Sequence, residues 1–328
     1  MATIKDVARA AGVSTATVSR VLTDKGPYTP ETQRKVKEAI EKLNYQPNGL
    51  GRYLRKQETR TVIAVFPDIT NPFFSQIIRG MEDEASAHGY TVILGNTDNR
   101  SERQNNYLKL LEERRADGII LTLARSSVEE IDSIRKIGPV VLACEHFKEG
   151  EFSSVAIDNV AAAYEAVSHL IRLGHTHIAH IEGPSDIILS RDRLLGYRRA
   201  LRENGIKEEW VLQGDFSLES GRSLMGKLLQ EKRRPTALFA ANDKMAIGAI
   251  LEAKAHGVKV PKELAVVGFD DIEMAQIVDP PLTTIAQPKY QIGAEAMRKL
   301  IAMLQGQPDP VLHTILPYTL EIRQSCGA

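Results

Sequence analysis

The sequence predicts a small all-α head followed by an α/β body built from two doubly wound, mainly parallel sheets. Three observations predict it: two short helical stretches joined by a glycine turn at the start, positive charge concentrated in the first 60 residues, and a later alternation of apolar runs with helical patterns. At 328 residues the chain exceeds what one ordinary core organises, and 43% apolar with 26% charged residues is the composition of globular domains.

The whole chain carries no net charge, but the sum hides an asymmetry. Residues 1–60 hold 12 Lys/Arg against 6 Asp/Glu, and the remainder holds 30 against 36. The head is therefore basic and the body acidic, which points the head toward a polyanion.

Within the head, Thr3 suits an N-cap with the Asp6 carboxylate three residues on, and Val7, Ala8 and Ala11 mark one helical face. Gly12-Val13-Ser14 breaks the pattern, Gly12 suiting the turn and Ser14 the cap of a second helix whose apolar side is Val18, Val21 and Leu22. A third helix begins at Thr29-Pro30 and places Val36, Ile40 and Leu43 on one face. Residues 8–22 thus have the spacing of a helix-turn-helix, whose second helix lies in the DNA major groove and turns Thr15, Ala16 and Arg20 outward. From 44 to 58, Pro47, Gly49, Gly51 and the cluster Arg52, Arg55, Lys56 have the composition of a basic linker. The expected division is a head over 1–46, a hinge over 47–59 and a body over 60–328.

In the body, short apolar runs at 62–66, 91–94, 118–123, 140–143, 155–157, 178–181, 237–240 and 264–267 alternate with helical stretches. This is the pattern of parallel sheets with helices on both faces, and its length divides better into two lobes than one. The expected lobes cover about 60–160 with 290–322, and about 161–289. Ligands in such sheets bind beyond the carboxyl ends of the strands. Asn71, Phe73 and Phe74 follow the first run, Asn242 follows 237–240, Asp270 follows 264–268 and Gln287 follows 283–286. Hydroxyl-binding groups at successive strand ends, with an aromatic face to stack on, suit a polyol.

The head motifs are specific. Thr3-Ile4-Lys5-Asp6-Val7-Ala8, Ala11-Gly12-Val13-Ser14, Thr17-Val18-Ser19-Arg20-Val21-Leu22 and Asn44-Tyr45-Gln46-Pro47-Asn48 resemble the head of the lactose/galactose repressor family of bacterial regulators. The resemblance runs across the chain. It implies a homodimer on a palindromic double-stranded operator, with Thr15, Ala16 and Arg20 reading bases and Ser14, Thr17, Ser19 and Asn48 nearer the backbone. It also implies a hinge helix that forms on DNA and wedges Leu54 into the minor groove. Glycines at 49 and 51 depart from the usual pattern and make that helix more dependent on DNA, each weakening it by about 1 kcal/mol relative to alanine.

The body resembles periplasmic sugar-binding proteins. The resemblance places Asn71, Phe74, Arg125, Arg193, Asn242, Asp270 and Gln287 around a ribose ring, with Phe216 as a second aromatic wall. The segments 71–80 and 279–288 are similar to those of cytidine-responsive members, whereas purine-responsive members carry Arg and Thr where this chain has Ile187 and Leu189. A ribonucleoside or ribose is the implied effector; the residues leave open whether it releases or tightens DNA binding, and the likeness to cytidine-responsive members favours release.

Other classes fit less well. His175, His177 and His180 straddle a helix end and a strand start, where alternation sends 177 and 180 to opposite faces, so no metal site is read there. No phosphate-binding loop, nucleophile elbow or dinucleotide fingerprint is present, and no cofactor is called for. An enzyme acting on a sugar or nucleoside is the main rival, ahead of a transport binding protein or an unspecific architectural DNA protein. Cys144 and Cys326 build no disulfide framework, and neither a secretory leader nor a membrane span is read, which implies a cytoplasmic protein.

Overall fold

The computed structural model describes residues 2–24, 26–45, 58–122, 128–145, 152–307 and 311–327. They form two compact units, Met1–Glu58 and Thr59–Ala328.

The first unit contains α1 (Ile4–Ala11), α2 (Thr15–Thr23) and α3 (Pro30–Lys42). Local chemistry sets each boundary. The Thr3 amide and hydroxyl both donate to the Asp6 carboxylate, at 2.9 and 2.7 Å, and this lowers the Asp6 pKa. Gly12 ends α1 at φ 68°, a left-handed conformation that a side chain would strain. The Ser14 hydroxyl accepts the Thr17 amide at 3.1 Å and starts α2, while Thr29 accepts the Thr32 amide at 3.2 Å ahead of Pro30. Val7, Ala8, Ala11, Val18, Val21, Val36 and Ala39 make the buried core, with Leu22, Ile40 and Leu43 packed around it.

In the second unit the strands are β1 (Thr61–Phe66), β2 (Thr91–Asn96), β3 (Gly118–Thr122), β4 (Val140–Ala143), β5 (Ser153–Ala156), β6 (Ile178–Glu182), β7 (Trp210–Gln213), β8 (Ala237–Ala240), β9 (Ala265–Asp270), β10 (Thr283–Ala286), β11 (His313–Ile315) and β12 (Thr319–Glu321). The helices are α4 (Phe73–Ala87), α5 (Ser101–Glu112), α6 (Val128–Arg135), α7 (Asn159–Arg172), α8 (Ile188–Glu203), α9 (Leu218–Gln230), α10 (Asp243–Ala255), α11 (Glu273–Ile277) and α12 (Lys289–Leu304). Two six-stranded sheets result, ordered β11-β5-β4-β3-β1-β2 and β12-β10-β9-β8-β6-β7. Among the described residues all pairings are parallel except β10 with β12. The inner strands are buried along nearly their whole length, as sheets covered on both faces require.

The chain passes between the lobes after β5, after β10 and after β11. The last passage corrects the expected lobe division. Residues 290–322 do not all belong to the first lobe, because Thr319–Glu321 pair with Thr284–Ala286 in the second sheet. Helix α12, by contrast, packs on α4 and on β3 to β5 of the first lobe. Its contact with α4 is backbone against backbone: a Cβ at Gly293 would stand 1.9 Å from the Ile77 carbonyl oxygen, and one at Gly80 would stand 2.1 Å from that of Tyr290.

His180 shows what the second core imposes on a polar ring. It is fully buried on β6, stacked 5.0 Å from Tyr197 and 4.8 Å from Phe239, and its Nδ1–H donates to the Phe239 carbonyl at 2.9 Å. Burial pushes its pKa down to about 4. The folded value lies below the unfolded one of about 6.5, so its contribution is complete above pH 6.5 and is lost as pH falls through about 4. Between pH 7 and 4, the unfolding free energy of the wild type should fall by up to about 3 kcal/mol more than that of His180→Phe in urea titrations. Equal falls would assign the acid sensitivity elsewhere.

Candidate functional site

On the head, the residues expected at DNA sit on the start and outer side of α2. Ser14, Thr15, Ala16 and Arg20 are exposed, Thr17 and Ser19 half-buried, while Val18 and Val21 face the core. Ser14 and Thr17 hydroxyls bond each other at 2.9 Å. Arg20 has its aliphatic stem 3.2 Å from where a Gly26 Cβ would stand, so a bare glycine leaves it room. Asn48 and Leu54, with the glycines at 49 and 51, lie outside the described residues.

In the body, a cavity of about 260 Å³ opens between the lobes at the carboxyl ends of β1, β2 and β6 to β9. Its first-lobe wall includes Asn71, Phe73 and Phe74, and its second-lobe wall includes Arg193, Phe216, Asn242 and Asp270. The aromatic pair divides its work. Phe74 is fully buried edge-on to Phe66 at 5.3 Å, and Phe73 stands edge-on to Phe74 at 5.1 Å. Asn71 holds the start of α4, its side-chain oxygen accepting the Phe73 amide at 3.1 Å.

The second-lobe wall is a connected polar floor. Arg193 is 3% exposed; its Nε–H donates to Asn159 at 3.0 Å, Nη1 donates to the Ala241 carbonyl and lies 3.7 Å from the Asp270 carboxylate, and the guanidinium covers the Phe269 ring at 3.7 Å. Burial lowers the Arg193 pKa and raises that of Asp270 to about 6, Arg193 and Gln287 opposing the rise. Asn242 caps α10 by accepting the Met245 amide at 2.9 Å and donates to the Phe216 carbonyl at 3.0 Å, leaving one N–H for a ligand. Phe216 holds φ 68°, with its ring over Gly183, where a Cβ would lie 2.2 Å from Cζ. Strain of this kind collects at binding sites.

Gln287 does not line the cavity. It stands behind Asp270 and donates to its carboxylate at 2.8 Å, because the turn after β10 directs it into the floor. Arg125 lies outside the described residues. Asp68 closely follows β1 and is reached by strand-end reasoning, which misses Asn99, Asp215 and Lys244; all four line the cavity. Asp68 and Lys244 face each other from opposite lobes at 3.8 Å. Burial alone would raise the Asp215 carboxyl, but hydrogen bonds from Ser217 and Ser220 hold it below the usual range. Ile187 and Leu189 give the cavity an apolar side. The three histidines do not converge: His175 bonds Thr236, His177 faces Glu208 at 3.8 Å, and His180 is in the core.

A three-helix DNA-reading head and a two-lobed body with a ligand-sized cleft define a ligand-responsive regulator. Residues 3–48 match the lacI family of bacterial regulatory proteins, and residues 59–318 match periplasmic binding proteins and the sugar-binding domain of that family. The chain belongs to the lacI family and is a DNA-binding transcriptional repressor of that family. Its relatives include the transcriptional repressor CytR of Escherichia coli K12, 42% identical over 309 residues, spanning 93% of this chain and 91% of the relative. Among solved structures, the lac repressor dimer bound to operator and the anti-inducer ONPF is 29% identical with a TM-score of 0.90, covering 100% of this chain and 99% of that one. A LacI family regulator from Enterococcus faecium with bound ribose is 31% identical with a TM-score of 0.73, covering 81% and 98%.

The cap at Ser14 is the most local of the head's supports. Ser14→Ala should weaken α2 by about 1 kcal/mol and speed amide exchange over residues 15–23 about fivefold in the full chain. Unchanged exchange there would show that the cap carries no stability.

Proposed function

We propose that the chain is a cytoplasmic homodimer that represses transcription by reading a palindromic operator and is released from it by a ribonucleoside or ribose. The carrying observation is the cleft, where the Phe73–Phe74 pair and Phe216 face a floor made by Asp270, Arg193 and Asn242. Aromatic faces suit the apolar side of a furanose or a base, and a carboxylate beside a guanidinium suits vicinal hydroxyls. The apolar Ile187 and Leu189 favour a ligand without a strongly polar base edge there. The names of the relatives support the reading, one a repressor called CytR and one a regulator solved with ribose. Asn71, Phe73, Phe74, Arg125, Arg193, Phe216 and Asn242 with Asp270 are the proposed contacts, Gln287 acting from behind. Thermal unfolding with ribose, cytidine, other nucleosides, bases and sugar phosphates tests it. A ligand at about 100 times its dissociation constant adds about 2.7 kcal/mol, a shift of several degrees. Absence of any shift with ribose and every nucleoside would remove the effector assignment, and free base appearing in the mixture would make the chain an enzyme instead.

On DNA, Thr15, Ala16 and Arg20 read bases, Ser14, Thr17, Ser19 and Asn48 stand by the backbone, and Leu54 is the minor-groove wedge. Arg20 is the strongest reader, and Arg20→Ala should weaken binding to a palindrome selected from random DNA by about 1–3 kcal/mol while relaxing one position of each half-site. Uniform weakening without relaxation would make Arg20 a backbone contact.

A further inference from the structure

Two consecutive residues at the end of β9, Asp270 and Asp271, hold left-handed backbones at φ 113° and 51°. Neither is glycine, so the pair is strained and persists only because its surroundings hold it. The holders converge from three places. Lys289 Nζ donates to both carbonyls, at 2.7 Å to Asp270 and 2.6 Å to Asp271. Gln287 donates to the Asp270 carboxylate at 2.8 Å. Arg323 donates to the Asp271 carboxylate at 2.6 Å and to the Leu282 carbonyl at 2.8 Å.

Two of these three, Gln287 and Lys289, belong to the passage between the lobes. Gln287 follows β10 of the second lobe, and Lys289 is the first residue of α12, which packs on the first lobe. The Gly293–Ile77 and Gly80–Tyr290 approaches then join α12 rigidly to α4, whose first turn carries Phe73 and Phe74 on the cavity wall. A ligand between Phe73 and Asp270 therefore touches both ends of one mechanical path: aromatic pair, α4, α12, Lys289, Asp270.

We propose that Lys289 is a positioning residue that ties the ligand-facing Asp270 to the interlobe passage, so that the shape of the site and the angle of the lobes change together. An ammonium suits this role because its three donors serve two carbonyls at once without fixing a plane. The assignment rests on the cleft being the effector site.

The test is amide exchange across the full chain for wild type, Lys289→Met and Lys289→Arg, with cytidine and ribose binding measured on the same samples. In Lys289→Met, exchange should rise tenfold or more over residues 270–273 and 287–292 with the helices of both lobes unchanged, affinity for the binding ligand should fall tenfold or more, and Lys289→Arg should recover most of both. Unchanged exchange over 270–273 in Lys289→Met overturns the proposal, and so does an equal rise throughout the body, which would mark a general stabilising contact. If neither cytidine nor ribose binds the wild type, the affinity arm is run with the other ribonucleosides, and failure of all of them removes the effector reading by itself, while the exchange pattern still decides the role of Lys289.

Discussion

A guanidinium cannot be taken out of water unless nearly every donor finds a partner and its charge finds an opposite one. Arg193 meets the charge part of that demand and pairs two of its five donors: Nε–H and Nη1–H bond Asn159 on α7 and the Ala241 carbonyl after β8, the Asp270 carboxylate at the end of β9 lies 3.7 Å away, and the Phe269 ring lies beneath. With α8, which carries Arg193, four separate elements of the second lobe are thereby brought to one point. The requirement propagates outward. Asp270 needs Gln287, its strained backbone needs Lys289, and Asp271 needs Arg323 from the C-terminal segment. Asp243 adds a second buried carboxylate, its pKa raised well above normal by burial and by Asp270, held by the Ile272 amide and the Thr284 hydroxyl. Gly268 has to be glycine beside it, since a Cβ would lie 2.3 Å from the Asp243 carboxylate.

Such a floor is rigid, and its rigidity has a consequence for signalling. A ligand shifts a two-state equilibrium only by its differential affinity for the two states. If the floor adapted freely, ligand would be held equally well at any lobe angle. With Arg193 and Asp270 locked into the second lobe and the aromatic pair fixed by Phe66 to the first, contact with both walls is made only over a narrow range of lobe angles. The opposed Asp68 and Lys244 at the mouth favour the same approach of the lobes, though half-exposed charges add little, about 0–1 kcal/mol.

Much of this was legible in the sequence where the physics is local. Thr3 with Asp6, Gly12, Ser14 and Thr29-Pro30 each act within four residues, so the three head helices follow from reading along the chain. Strands buried on both faces appear as uninterrupted apolar runs, which makes the inner strands visible. Of the four edge strands, β2 shows through Val92-Ile93-Leu94 although it is half-exposed, whereas β7 offers only the three-residue run Trp210-Val211-Leu212 and β11 and β12 offer none. The cleft divides in the same way. Asn71, Asn242 and Asp270 follow visible strands and are found by that rule, whereas Asp215 follows the unseen β7 and Lys244 sits inside a helix start. Gln287 follows a visible strand yet faces inward, because a tight turn, with the Lys289 amide bonded to the Gln287 carbonyl at 2.8 Å, decides its direction. The resemblance supplied Phe216 and Arg193, whose placement rests on a left-handed backbone and a buried charge that no periodicity reveals.

The head and the body also constrain each other through magnitude. Three outward side chains on α2 form the proposed base-facing set, and among them only Arg20 has the two-pronged geometry worth about 1–3 kcal/mol per base pair. Specific sites exceed unspecific DNA by about 4–10 kcal/mol, which one such head does not reach with confidence of occupancy against a genome of competitors. Two heads on a two-fold site double the discrimination, and the gain exists only while their spacing matches the half-sites. Control by a small molecule therefore requires no change within the head. A body that alters the spacing of two copies by the closure of a cleft withdraws half the discrimination at once, and the separate cores of the two units allow the lobes to move without disturbing α1 to α3.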